Sequence, residues 1–409
     1  MKILLVNKFY YMSGGAERYL FDWEKLLRDH GHEVAVFAMQ HPLNRPCEQS
    51  SYFVDQVRFD PDQSLTARLR AATHSIWSTE AARKLRRLIE EKGPFDIAHL
   101  NAIIYQITPS ILRPLAEHGI PIIQTCHEYS PICANQRLYN QRTNRICAAC
   151  LRTGILSPLW TRCIKGSLAA GATGCLATLA DRFAARSRRR IRYYIATSNF
   201  MRDMLLRGGL PAERVRHISN FVNAEAIRPG DALGDYLLYF GRLVPQKGIE
   251  TFIAAAAKCP DIPCKVLGGG PMEDALRQRL ASEGPTNVAL LGHLEGEALQ
   301  QTLRGASAVV VPSEWYEPFG LVILEAWAAS RAVIASEISG PAEIVSHEQN
   351  GLLFPAGDAG ALAAAMQRLW QNAELAASLG REGRREAVTR YTPEQHYESM
   401  MKLFEEARA

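Results

Sequence analysis

Short apolar runs recur along this chain, each closed by a loop and followed by a longer stretch with helical spacing. In the first half they are MKILLVNKF, HEVAVFAM, FDIAHLNA, IPIIQTCHEY, RYYIATS and RVRHISN. The second half repeats the rhythm with YLLYFGRL, PCKVLGGG, NVALLGHL, SAVVVPS, AVIASEI and NGLLFPA. Runs this continuously apolar suit strands buried on both faces, and strands alternating with helices predict a parallel sheet clothed by helices. The expected architecture is α/β: two doubly wound, Rossmann-like domains in tandem with a cleft between them. Arg228 to Asp235, rich in turn formers, is the expected linker. It divides a first domain over residues 1–228 from a second over 232–385. Basic helical stretches are expected over 64–92 and 167–190, a helix over 108–118, and a last helix near 390–409. Residues 131–165 interrupt the alternation with polar, cysteine-containing sequence.

A chain of 409 residues, 47% hydrophobic and 22% charged, fits two globular domains. Its longest uncharged run, Gly166 to Ala180, is 15 residues, too short to span a bilayer. A cytoplasmic protein is expected, whose nine cysteines are thiols or metal ligands rather than disulfides. Charge is divided unevenly. Residues 1–230 carry 32 Lys+Arg against 19 Asp+Glu, whereas residues 231–409 carry 15 against 23. The basic half is expected to face an anionic partner such as a membrane surface or a phospholipid-linked substrate.

Candidate chemistry sits in the loops after the strands, where ligands bind in such sheets. The stretch EWYEPFGLVILEAWA places Glu317 before a helix and Glu325 inside it, eight positions on. Its helix start offers backbone N–H groups and partial positive charge to phosphate or sugar oxygens. Arg242 and Lys247, on the loop GRLVPQKG, can straddle a diphosphate, Arg through its planar fork and Lys as a point charge. Gly268 to Gly270 permit close backbone approach to a nucleotide. In the first half, Ser13-Gly14-Gly15-Ala16-Glu17-Arg18 opens a helix after the first strand, and His127-Glu128 ends another strand. Each element alone fits an ordinary βα turn.

Taken together and in this order, SGGAER, HEY, TSNF at Thr197–Phe200, GRLVPQKG, GGGP and EPFGLVILE resemble the retaining nucleotide-sugar glycosyltransferases of family 4, with the GT-B fold. The resemblance implies that Arg242 and Lys247 neutralise the donor diphosphate without a catalytic metal. It implies that Glu325 binds the ribose, Glu317 the transferred sugar, and the N–H groups of Phe319, Gly320 and Leu321 sugar or phosphate oxygens. Gly14, Gly15, Gly269 and Gly270 would approach the donor, and His127 would touch the sugar and assist catalysis. The last helix would pack back on the first, acceptor-binding domain. The implied reaction moves a hexose from a UDP- or GDP-linked donor to a hydroxyl of a saccharide or lipid-linked acceptor, by front-face attack, in polysaccharide or glycolipid synthesis. Rival readings are another GT-B enzyme, an epimerase or phosphorylase, or a non-catalytic sugar-nucleotide-binding protein.

Two features lie outside that pattern. Cys133, Cys147, Cys150 and Cys163, with a central C-x2-C, have the spacing of a structural zinc site. Arg182 to Arg192 holds six arginines and no acid. Beside a small-residue apolar run it suits docking on the anionic inner face of a membrane. Aromatics are not interleaved with these arginines, so nucleic acid is not an expected partner.

Overall fold

The computed structural model of the chain describes residues 1–57, 64–230 and 232–409. They form two compact units, one comprising Met1–Thr143, Cys147–Ile218 and Tyr397–Ala409, the other Asn144–Ile146 and Ser219–His396. In chain order the first half contributes β1 (Lys2–Val6), β2 (Glu33–Phe37), β3 (Ile97–Leu100), β4 (Ile122–Cys126), the short β5 (Tyr139–Asn140) and β6 (Arg145–Ile146), β7 (Ile191–Ala196) and β8 (Val215–His217). The main sheet of the first unit runs β2-β1-β3-β4-β7-β8, all parallel. The second half contributes β9 (Leu237–Phe240), β10 (Cys264–Leu267), β11 (Val288–Gly292), β12 (Ala308–Val311), β13 (Ala332–Ser336) and β14 (Leu352–Phe354). Its parallel sheet runs β11-β10-β9-β12-β13-β14. Both sheets are Rossmann-like, and each of the twelve expected strands is present.

The strand order fixes where loops open. In the first sheet the chain winds to opposite sides from β1 and β3, and in the second from β9 and β12. Such switch points leave a crevice at the carboxyl ends of the strands. Both sheets are sandwiched by helices, which is why Ile3–Val6, Val309–Val310 and Ala332–Ala335 are fully buried.

Three helical expectations were too simple. The stretch 64–92 is two helices, Leu65–Ile76 and Thr79–Lys92, because Ser78 leaves helical geometry and its side chain accepts from the Ala81 N–H. The stretch 108–118 begins as a 3-10 turn, Pro109–Ile111, under a Thr108 cap, before the helix Leu112–Glu117. The stretch 167–190 runs as the helix Leu168–Leu179, widens into a π turn over Ala180–Ala184, and is broken by left-handed Arg186.

The segment expected as a linker packs within the second unit. The Gly230 N–H donates to the Ala329 carbonyl at 3.1 Å, and buried Arg331 donates through Nη1 to the Ala232 carbonyl at 2.8 Å. Asp231, in that segment, lies outside the described residues.

The final helix, Pro393–Arg408, adds its last turns to the first unit. Tyr397 stacks on His30 with ring centroids 3.8 Å apart, and its hydroxyl meets His32 Nε2 at 2.7 Å. Phe404, fully buried, lies edge-on to Trp23 and His99 at 6.2 and 5.8 Å. Arg408 pairs with Asp96 at 2.9 Å. Phe404→Ala should therefore destabilise the first unit by about 3–5 kcal/mol, the range for emptying a buried aromatic site. Urea unfolding followed by circular dichroism measures it; a loss under about 1 kcal/mol would show that this helix is not part of that core.

Candidate active site

In the second unit three loops at the switch point are drawn together by glycine. The loop after β9 runs over Gly241–Gly248, that after β10 starts at Gly268, and that after β12 leads through Pro312 to the helix Leu321–Ala328. Gly248 has φ 71°, and a Cβ there would lie 1.7 Å from the Pro312 carbonyl oxygen. Gly268 has φ 137°, and a Cβ would lie 1.9 Å from the Gly241 carbonyl oxygen. Only a residue without Cβ permits either approach. The Leu243 N–H donates to the Gly269 carbonyl at 2.9 Å, and Met272 N–H reaches the Leu243 carbonyl at 3.3 Å. Gly269 and Gly270 are thus held beside the Arg242 loop.

Within this knot Lys247 and Glu317 form an ion pair, Lys247 Nζ to Glu317 Oε1, and the Ser313 hydroxyl donates to Glu317 Oε2. Glu317 is only 7% exposed, so its charge is sustained by these two partners rather than by water. Lys247 Nζ also lies 5.8 Å from the centre of the Trp315 ring. Glu314 accepts from the Thr251 hydroxyl, and its N–H donates to the Gln246 carbonyl at 2.9 Å. Those two bonds tie the acidic loop to the basic one. Arg242 is exposed, with its carbonyl accepting from the buried Tyr239 hydroxyl at 3.1 Å. Phe319 is buried, and Gly320 begins the helix Leu321–Ala328 without a side-chain cap, leaving its first-turn N–H groups to other partners. Glu325 is half-buried in the second turn of that helix.

In the first unit Gly14 similarly begins the helix Gly15–Asp29 without a side-chain cap. His127, one residue beyond β4, donates from Nε2 to Asn101 Oδ1 at 3.0 Å, and the Tyr19 ring lies 4.8 Å away. Asn7 joins the loops after β1 and β3: its Nδ2 donates to Glu17 at 3.3 Å, and its Oδ1 accepts from the Ala102 N–H at 3.0 Å. Glu128 is screened from solvent at Oε1, which has no hydrogen-bond partner among the described residues. Burial raises its carboxyl to about 7, against the pull of Arg137 and Lys8.

The four cysteines expected to hold zinc are Cys133, Cys147, Cys150 and Cys163. Among the described residues no group of three or more His, Cys, Asp or Glu is placed to hold a metal ion. The buried Cys133 thiol lies beside half-buried Cys150, and that neighbour holds the Cys150 thiol below the ordinary range. Burial raises the half-buried Cys147 thiol, and both Cys163 and Cys150 add to the rise. Three site residues were not anticipated. Ser313 and Asn101 carry one signal, a polar residue just past a fully buried strand; Glu128 was seen only as a neighbour of His127.

Comparisons with known proteins agree with this layout. The family described as Glycosyltransferase Family 4 matches residues 13–226, and Glycosyl transferases group 1 matches residues 230–386. A phosphatidyl-myo-inositol mannosyltransferase of Mycolicibacterium smegmatis is 26% identical over 90% of this chain and 83% of its own length. An exopolysaccharide phosphotransferase of Streptomyces coelicolor is 36% identical over 48% of this chain, but the match spans only 21% of that relative's length. Among solved structures, Anabaena HepE in complex with UDP-glucose superposes with a TM-score of 0.70 over 99% of this chain and all of its own, at 20% identity. That last likeness is one of fold.

A carboxyl raised by burial binds its proton more tightly folded than unfolded. Its cost to the folded state is therefore absent below the unfolded value, grows between pH 4.5 and about 7, and stays constant above. Glu128→Gln should accordingly stabilise the protein by about 1–3 kcal/mol at pH 8 and leave it unchanged near pH 4. Paired denaturant titrations at the two pH values check this. A gain of equal size at both would contradict it.

Proposed function

Because the chain belongs to glycosyltransferase family 4, we propose that it moves a hexose, with retention, from a UDP- or GDP-linked donor to a hydroxyl of a saccharide or lipid-linked acceptor. The observation that carries this reading is the Lys247–Glu317–Ser313 chain, set where three glycine-closed loops meet. It holds a cation and a carboxylate side by side at the mouth of a sheet crevice, the pairing needed to bind a diphosphate next to sugar hydroxyls.

In this reading Arg242 and Lys247 face the donor diphosphate. As the bond from the anomeric carbon to the phosphate oxygen breaks, its electron pair moves onto that oxygen, and these cations stabilise the growing charge. The N–H groups at Phe319, Gly320 and Leu321 assist them. Glu317, steadied by Ser313, orients the sugar, and Glu325 holds the ribose. Gly14, Gly15, Gly269 and Gly270 give the donor close backbone contact. The acceptor oxygen bonds to the same face of the anomeric carbon and yields its proton to the departing phosphate. His127, oriented through Asn101, contacts the sugar. Relatives named a phosphatidyl-myo-inositol mannosyltransferase and an exopolysaccharide phosphotransferase support an acceptor in glycolipid or polysaccharide synthesis. The arginines of 182–192 and the basic balance of the first half support peripheral attachment to an anionic membrane face. No described helix is long and apolar enough to cross a membrane.

Arg242→Ala, Lys247→Ala and Glu317→Ala should each slow transfer by about 100-fold or more, as removal of preorganised transition-state contacts does. The measurement is release of nucleoside diphosphate together with mass-spectrometric detection of the new glycoside. Near-normal rates in folded variants would contradict the assignment.

A further inference from the structure

A cavity of about 720 Å³ lies wholly within the first unit. It is bounded by the helix Leu65–Ile76, the helix Leu168–Leu179, and the loops that follow β3 and β4. Its walls include Leu69, Ala72, Ile103, Ile104, Ala170 and Ala177. The second helix, LAAGATGCLATL, carries no charge, and it lines the space with alanine, glycine and threonine. The volume exists because nothing larger is there to fill it.

Even the hydroxyls of that helix are turned back on its own backbone. Thr173 donates to the Ala169 carbonyl at 3.0 Å and Thr178 to the Gly174 carbonyl at 2.9 Å. Their methyl groups remain as the apolar part of the lining. Asp181 is satisfied in the same local way, accepting from Ser187 at 2.9 Å. Two lining atoms, Tyr194 Oη and Gln106 Oε1, are buried without a hydrogen-bond partner among the described residues; the helix wall itself is apolar and suits a hydrocarbon.

Two further observations say what kind of hydrocarbon. Leu69 lines the cavity yet is 58% exposed. The cavity therefore meets solvent beside an apolar side chain, as an entering hydrocarbon requires. Lys8 and Lys165 also line it, and Arg142, Arg152 and Arg162 lie in the flanking insertion. The charge complements an anionic head. Lys8 follows β1 and Tyr105 follows β3, so the cavity reaches the loops that carry Asn7 and Asn101.

We propose that this cavity receives the hydrocarbon chain of a lipid-linked acceptor, with an anionic head group against Lys8 and Lys165; the acceptor role rests on the transferase reading above. A soluble oligosaccharide would have no use for it, and a lipid would carry its own reactive end toward the strand-end loops.

The test is calorimetric titration of butyl, octyl and dodecyl phosphate, each below its micelle-forming concentration, into the full chain. Affinity should rise with each lengthening of the chain. In Ala170→Phe and Ala177→Phe, dodecyl phosphate should bind at least about tenfold more weakly, since a ring occupies the volume the chain needs. Thermal melting of each variant verifies that it is folded. Affinity independent of chain length in the unsubstituted protein would overturn the proposal, as would folded variants that bind dodecyl phosphate unchanged. Chain-length-dependent binding in a protein that binds neither UDP nor GDP would support the lipid cavity and overturn the transferase reading instead.

Discussion

Glu317 is a carboxylate almost removed from water, and it can be kept charged there only by partners built into the fold. Lys247 supplies the opposite charge and Ser313 a hydroxyl. Desolvating such a pair is costly, and breaking it by removing one partner costs more than never having had it. The arrangement therefore constrains its surroundings. The Lys247 loop must lie against the Ser313–Glu317 loop, which requires Gly248 to sit almost on the Pro312 carbonyl. The Gly268 turn must in turn close on Gly241. An ion pair at a sheet crevice is weak evidence about stability. Its value is that it holds a cation in a fixed place, ready for a second anion.

The first unit repeats the logic with neutral groups. Asn7 and Asn101, each one residue past a buried strand, join the loops after β1 and β3 and orient His127. Beside them Glu128 holds its proton to near neutrality. The apolar cavity of the same unit, open to solvent beside exposed Leu69, adds a place for hydrocarbon. Sugar chemistry on a lipid carrier would use both these loops and the cavity.

Much of this was readable from residue order. Most of the twelve strands were legible because burial on both faces leaves near-continuous apolar runs, a signal that needs no tertiary information; β8, Val-Arg-His, and β11, with Ala289 and Leu291 exposed, carry only part of it. Lys247 and Glu317 could be named because loops after strands are where polar residues have a reason to be. Their contact could not, since they are 70 positions apart and meet only through strand order β9-β12. Ser313 was missed as an ordinary strand-ending serine. Helix breaks at Ser78 and Arg186 depend on single backbone angles that periodicity averages away.

The most direct test of the central claim is calorimetric titration of UDP and GDP into the protein and into Lys247→Ala. The account predicts that at least one nucleoside diphosphate binds, that its monophosphate binds more weakly, and that Lys247→Ala loses about tenfold to a hundredfold in affinity. Failure of both diphosphates to bind, or equal affinity in the variant, would contradict it.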